Sequence, residues 1–379
     1  MIAEERLQQL TDSAIGMLKG MIAIPSESFK EERVADYLER NLKLCGLNVT
    51  RLHNNLLCHH KGSLEEYRNV QENRNLQGTC KLAAPLVMLC AHIDTVAPAS
   101  SYSRDPYLPA EEDGRIYGLG SNDDGGCVVS MIEAFLHLGT IGSGENLLLV
   151  LSAEEERSGP KGMDAVVKHL ASLGIAPDYA IVGEPTGLRA AIGERGLLVL
   201  DGLAEGVSGH AAREEGVNAL YIALEDIARL RRHAFRKVSP LMGRVKLTVT
   251  QIEAGYAHNV VPDKCSFVVD IRPTERYSNE EIWRSLQKRV KSKLTPRKLT
   301  NRSSATPAGC KLLDIINKCG IESYVSPTTS DWMRIETPAI KIGPGESARS
   351  HKADEFICRS EIMAGIELYI KILKEIEKV

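Results

Sequence analysis

The stretch Leu147 to Gly159 reads LLLVLSAEEERSG: an apolar run and then three adjacent glutamates, Glu154, Glu155 and Glu156. Like charges this close repel, so the triplet is either a solvated turn or one side of a cation site. Similar residues follow other apolar runs. His92-Ile93-Asp94 comes directly after LVMLCA, Glu184 just past YAIV, and His351 after KIGPGESARS; the pair Asp123-Asp124 stands in YGLGSNDDGG before a helical pattern. Any one of these alone is an ordinary polar loop residue. Together they point to one site, because open parallel sheets bind ligands at the carboxyl ends of their strands. Imidazole and carboxylate donors without thiolates suit zinc, with cobalt or manganese as substitutes. In His92-x-Asp94 the carboxylate can fix the second ring nitrogen of the histidine. Gly118-Leu-Gly120 is not a dinucleotide loop, since Asp123 stands where a third glycine is required. Cys58-His59-His60 has no further ligand at suitable spacing and reads as a strand edge.

The elements that must position these residues alternate. Glu4–Leu18 has helical spacing, and Ser28-Phe-Lys-Glu31 reads as a capping box opening a second helix that Gly46 closes. Leu86–Ala91, Leu147–Ser152 and Tyr179–Val182 are continuous apolar strands, as expected of parallel strands covered on both faces. Helical patterns follow at Gly126–Leu138 and Lys161–Leu173. From Gly196 the texture changes to alternating strands at Leu197–Ala204, Val245–Ile252 and Ser266–Ile271. A helix at Val217–Arg232, a capping box Ser278-Asn-Glu-Glu281 and an extended Lys298–Ser304 complete a βαββαβ plan. After Pro307 come a helix, the strand Ala339–Ile342 and an amphipathic helix Glu361–Glu377; Glu65–Gln77 reads as a surface loop. The expected fold is α/β with a largely parallel sheet, residues 1–195 plus 305–379, interrupted by a two-layer α+β insert at 196–304.

The totals agree with a globular protein of two domains. The 379 residues exceed one ordinary core, and a net charge of −3 gives no basic excess for nucleic acid. No apolar run approaches a membrane span, and the acidic start MIAEERLQQL lacks the features of a signal peptide. Nine cysteines without a C-x-x-C pair suit free thiols in a reducing, cytoplasmic setting.

The set AHIDTV, YGLGSNDDGG, SAEEERSG, IVGEPT, NVVPDKCSFVVDIR and GPGESARSHKADEF resembles the co-catalytic zinc amidohydrolases and peptidases. That group includes acetylornithine deacetylase, succinyl-diaminopimelate desuccinylase, the aminoacylases and glutamate carboxypeptidases, and the resemblance is greatest to acetylornithine deacetylase-like enzymes. It implies two zinc ions per subunit, with His92 and Glu184 on the first, Glu156 and His351 on the second, and Asp123 bridging. Asp94 would orient His92, and Glu155 would be the general base. His210, in GVSGHAAR, would donate to the oxyanion in the partner subunit's site, which implies a homodimer formed through the insert. Asn259 and Arg272 match substrate-binding positions, the latter as a fork for a substrate carboxylate or, on the competing view, a strand-end salt bridge. The loop Thr328–Asp331, with Ser330, would also touch substrate. The family usually has Lys where Gly125 stands and Asp where Glu154 stands; neither departure removes a ligand. The implied activity is hydrolysis of an N-acyl amino acid, first of all N-acetylornithine, in arginine biosynthesis. An N-acetyl- or N-succinylcitrulline, succinyl-diaminopimelate, or a dipeptide or carboxypeptidase substrate are the alternatives. A catalytically silent binding protein is disfavoured by the intact ligands and base.

Overall fold

The computed structural model describes residues 2–60, 85–213 and 215–378, so the segment Glu65–Gln77 lies outside the described residues. Two compact units form. The larger comprises Met1–Ile192, Thr306–Tyr324 and Ser330–Val379; the smaller comprises Gly193–Ala305 and Val325–Thr329.

In chain order the larger unit opens with α1 (Glu4–Ile22) and α2 (Glu32–Leu44). Helix α1 carries Glu4 and Glu5 in its first turn and Lys19 in its last, both favourable to the helix dipole, and buries Leu7, Leu10, Ala14 and Leu18 along one stripe. Helix α2 ends before Gly46, whose φ of 82° is the left-handed conformation a glycine stop supplies. Its beginning departs from expectation. No side chain caps it: the N-cap is Glu31, and the capping box of Ser28 and Glu31 does not form. Both residues are bonded elsewhere, as described below.

Strands β1 (Asn48–Leu52), β2 (Asn55–His59) and β3 (Val87–His92) follow, then a small hairpin of β4 (Ala110–Glu112) and β5 (Arg115–Tyr117). Helix α3 (Gly126–Thr140), β6 (Leu147–Ser152), α4 (Met163–Ser172), β7 (Tyr179–Val182) and β8 (Ala190–Glu194) complete the first segment. The sheet order within this unit is β1-β2-β6-β3-β7-β17-β8, where β17 is Ala339–Lys341. The centre, β6-β3-β7-β17, is parallel, and antiparallel strands flank it. Strands β3 and β6 are buried along their whole length because both faces are covered. Leu89, Leu149, Ile181 and Ile340 pack with α1 and α3 on one face. Met88, Cys90, Val150 and Val182 pack with Met163, Val166 and Leu170 of α4 and with Trp332 on the other. Among the described residues no helix is long and apolar enough to cross a membrane.

The smaller unit holds β9 (Leu198–Glu205), β10 (Gly209–His210), α5 (Ala219–Arg232), β11 (Lys246–Ala254), β12 (Val260–Val261), β13 (Lys264–Arg272), α6 (Asn279–Gln287), β14 (Lys293–Pro296) and β15 (Ser304–Ala305). Its antiparallel sheet runs β11-β13-β9-β14, and alternate residues such as Leu198, Leu200, Phe267 and Val269 pack against α5 and α6. The Ser278–Glu281 capping box opens α6. The last sheet strand is Lys293–Pro296 rather than the expected Lys298–Ser304, because Leu294 is the residue that reaches this core; Ser304 and Ala305 pair instead with Glu194 and Gly193.

The chain then returns through α7 (Lys311–Lys318), β16 (Ser323–Ser326), β17, β18 (Phe356–Cys358) and α8 (Arg359–Ile376). Strand β18 pairs with β5, and α8 joins the layer of α1 and α3.

Candidate metal centre

The parallel strands of the larger unit end in the residues singled out by sequence. His92 is the last residue of β3, the glutamate turn follows β6, Glu184 follows β7, and the loop after β17 leads to His351. These ends come together because small residues line their approach. A Cβ at Gly343 would sit 2.3 Å from Cys127 Sγ and 2.8 Å from the Glu184 carbonyl oxygen, so only glycine fits there.

His92 is 3 % exposed. Its Nδ1 lies 2.9 Å from the Asp94 carbonyl oxygen, which can only accept, so Nδ1 carries the proton. Nε2 faces Asp123 Oδ1 at 3.2 Å. Two acceptors cannot meet this closely unless a proton or another cation lies between them. Burial opposes charge on His92, yet the hydrogen bonds to Asp123 and Asp94 and the charges of Glu155 and Asp124 outweigh it and hold its pKa well above the ordinary value. The other oxygen of Asp123 lies 3.7 Å from His351 Nε2, which is 3.0 Å from Glu156 Oε1. His92, Asp123 and Glu156 therefore offer ligand atoms within 4.8 Å of one another, as do His92, Glu155 and Glu184.

Carboxylates outnumber cations here. Burial pushes Glu155 and Glu184 well above the usual carboxylate range, and Asp124, with an Oδ1 that has no hydrogen-bond partner, to about 7. Nitrogen and oxygen donors crowded in this way fit divalent cations, with no thiolate in either group of ligand atoms.

What holds these side chains in place was not visible in the sequence. The Asp94 carboxylate accepts the backbone N–H groups of Glu155 (3.0 Å) and Glu156 (3.1 Å) and the Ser28 hydroxyl (2.7 Å). Glu31 accepts N–H groups from Phe29 (2.6 Å) and Glu154 (3.2 Å). The Ser-x-x-Glu signature thus serves the glutamate turn instead of the helix behind it. Glu154, at φ 59°, accepts the N–H of Lys161 at 2.9 Å and braces the same turn. Glu355 accepts three N–H groups from Gly120, Asn122 and Asp123. Asp331 accepts the Ser152 hydroxyl at 2.5 Å.

The remaining predicted residues have other surroundings. The Ser330 hydroxyl accepts the N–H of Trp332 at 3.3 Å and caps the short turn Asp331–Arg334. In the smaller unit, His210 pairs with Val260 across β10 and β12, and the Ala211 N–H reaches the Asn259 carbonyl oxygen at 3.1 Å, which makes His210 and Asn259 neighbours. Arg272 grips Asp270 through two bonds of 2.8 and 3.0 Å, the salt-bridge arrangement of the competing view.

Residues 88–375 match the model of peptidase family M20/M25/M40. The chain belongs to this family. Succinyl-diaminopimelate desuccinylase of Dechloromonas aromatica (strain RCB) is 28% identical, with 97% of this chain and 99% of the relative covered. Acetylornithine deacetylase of Proteus mirabilis (strain HI4320) is 27% identical over 77% of this chain and 80% of its own. Among solved structures, aminopeptidase PepT of Bacillus cereus has a TM-score of 0.73 at 17% identity, covering 97% of this chain and 98% of that one. The Bacillus subtilis YXEP protein, described as a dinuclear metal-binding peptidase of the M20 family, has a TM-score of 0.71 at 11% identity, with 98% and 99% covered. This M20 protein is accordingly a metal-dependent amidohydrolase with the α/β fold of its family.

Proposed function

We propose that the protein is a zinc deacylase that hydrolyses the amide of an N-acyl amino acid, N-acetylornithine to ornithine and acetate in the first instance, in cytoplasmic arginine biosynthesis. The observation that carries this reading is Asp123 placed between His92 and His351, with Glu155 offering a carboxylate oxygen in the group around His92. His92 and Glu184 would hold one ion, Glu156 and His351 the other, and Asp123 both. When bound, the two ions supply positive charge that polarises the scissile carbonyl and an attacking water. Glu155 takes a proton from that water as its oxygen adds to the carbonyl carbon, and returns it to the amide nitrogen as the C–N bond breaks. Asp94 fixes the His92 tautomer and, through the two N–H groups it accepts, the direction in which Glu155 and Glu156 leave the turn. Arg272 would exchange Asp270 for a substrate carboxylate, with Asn259 and Ser330 as further contacts.

A homodimer through the smaller unit, with His210 serving the partner's site, belongs to the same reading. Among the described residues, seven of the eleven exposed large hydrophobic side chains lie in that unit, Tyr221, Leu224 and Ile252 among them. Helix α5 and the edge strand β11 carry these three, and the proposed dimer would form through them. The eight described cysteines are all free, as in a reducing compartment.

A desuccinylase acting on succinyl-diaminopimelate is the second reading, favoured by the full-length similarity to such an enzyme. A panel of acetylornithine, acetyl- and succinylcitrulline, succinyl-diaminopimelate and dipeptides decides between them: kcat/KM highest on acetylornithine supports the first, and preference for a succinylated substrate replaces it with the second. The mechanism has its own test. Glu155→Gln is expected to lose about 10²–10⁴-fold in kcat while metal content by elemental analysis stays at the wild-type level; loss of metal would mean Glu155 is a ligand instead.

A further inference from the structure

We infer that Glu355 is a positioning residue for the metal centre: by accepting backbone N–H groups of Gly120, Asn122 and Asp123, it locks the loop carrying Asp123 to the segment carrying His351. The inference rests on the reading of Asp123 and His351 as metal ligands.

The loop cannot support itself. Gly120 sits at φ 73°, and Asp123 (φ −120°, ψ 96°) and Asp124 (φ −119°, ψ 19°) depart from helical geometry just before α3 begins. Amides at a helix entrance have no acceptor within the helix and need one from outside. Glu355 supplies it, at 2.9 Å to Gly120, 2.8 Å to Asn122 and 2.7 Å to Asp123. The carboxylate is 3 % exposed, and no lysine or arginine among the described residues is bonded to it, so amide donors are its principal stabilisation. The Glu355 carbonyl oxygen adds a fourth tie, accepting the Gly118 N–H at 3.0 Å. Because Glu355 lies four residues beyond His351, its bonds set the spacing between the two segments that meet at Asp123 Oδ2.

Asp354 provides a built-in comparison. It makes the same kind of clamp, accepting the N–H groups of Ser103 and Arg104 at 3.0 Å each and the Ser103 hydroxyl at 2.6 Å, but on a loop that carries no ligand. General loosening of the segment would follow from losing either residue; loss of metal geometry would follow only from losing Glu355.

The experiment compares wild type with Glu355→Gln, Glu355→Ala and Asp354→Asn for zinc affinity by chelator competition, for kcat and KM at saturating zinc, and for hydrogen exchange at Gly120, Asn122 and Asp123. Glutamine keeps the acceptor shared by Asn122 and Asp123 but turns a donor toward Gly120. The expected order is therefore wild type, Gln, then Ala, with zinc affinity falling about 10–100-fold in the Gln variant. The kcat should drop while KM changes little, exchange should quicken at the three amides, and Asp354→Asn should match wild type in zinc affinity. Wild-type affinity and exchange in Glu355→Gln, or an equal loss in Asp354→Asn, overturns the proposal. Asp123→Asn, measured alongside, separates the two readings. If it binds zinc as wild type does, the ligand assignment fails; if it loses zinc while Glu355→Gln does not, the clamp alone fails.

Discussion

Asp331 shows how a single carboxylate behaves in this interior. It is 5 % exposed, takes the Ser152 hydroxyl at 2.5 Å, and burial pushes its pKa from 3.8 to about 6. A raised folded-state value means that the folded protein holds more protons than the unfolded chain between roughly pH 4 and 6. Stability from this group is present below that window and lost as pH rises through 6. Asp331→Asn keeps an acceptor for Ser152 and removes the ionisation, so its effect should turn favourable by about 2 kcal/mol between pH 4 and pH 7. Urea unfolding of the chelator-treated protein at both pH values checks this; an effect that is the same at both would mean the carboxylate is not held protonated. Sequence could nominate His92, Asp123, Glu156 and His351 because their types stand out at the ends of apolar runs. It could not show Glu355, or the second duty of Asp94, because a carboxylate bonded to backbone amides leaves no residue-type signal at the other end of the bond.

At the scale of elements, the buried strands were legible for a simple reason: covered on both faces, β6 and β7 are unbroken apolar runs, and their bounds match the sequence reading. Short strands placed by a few contacts, such as Lys293–Pro296, carry too little pattern to be located beforehand. The entrance to α2 misled for a different reason. Ser28 and Glu31 have the residue types of a capping box, but tertiary partners compete for them and win: a charged acceptor, Asp94, for the hydroxyl, and the Glu154 amide for the carboxylate. Ser28→Ala should therefore leave helix content by circular dichroism unchanged. It removes a hydrogen bond to a charged group, at a cost of about 1.5–3 kcal/mol in stability, and should lower kcat through Asp94. A loss of helicity without loss of kcat would restore the capping role.

At the scale of the molecule, the proposed dimer makes a prediction of its own. Leu224→Glu combined with Ile252→Glu places charge on exposed apolar positions of α5 and β11, 49% and 47% exposed in the single chain. The pair should shift the protein to a monomer in sedimentation equilibrium and reduce kcat if His210 works across the interface. A double variant that still sediments as a dimer would place the contact elsewhere. The larger unit is assembled from segments on both sides of Gly193–Ala305 in the chain. This arrangement has a consequence for how the enzyme is made. His92, Asp123, Glu156 and Glu184 leave the ribosome first, while His351 and Glu355 follow only after the whole smaller unit has been synthesised. During translation the nascent chain thus carries a crowd of carboxylates whose histidine partner and amide clamp do not yet exist. On the proposed ligand assignment, loading of metal at the full site would be a late event in biogenesis, set by translation order.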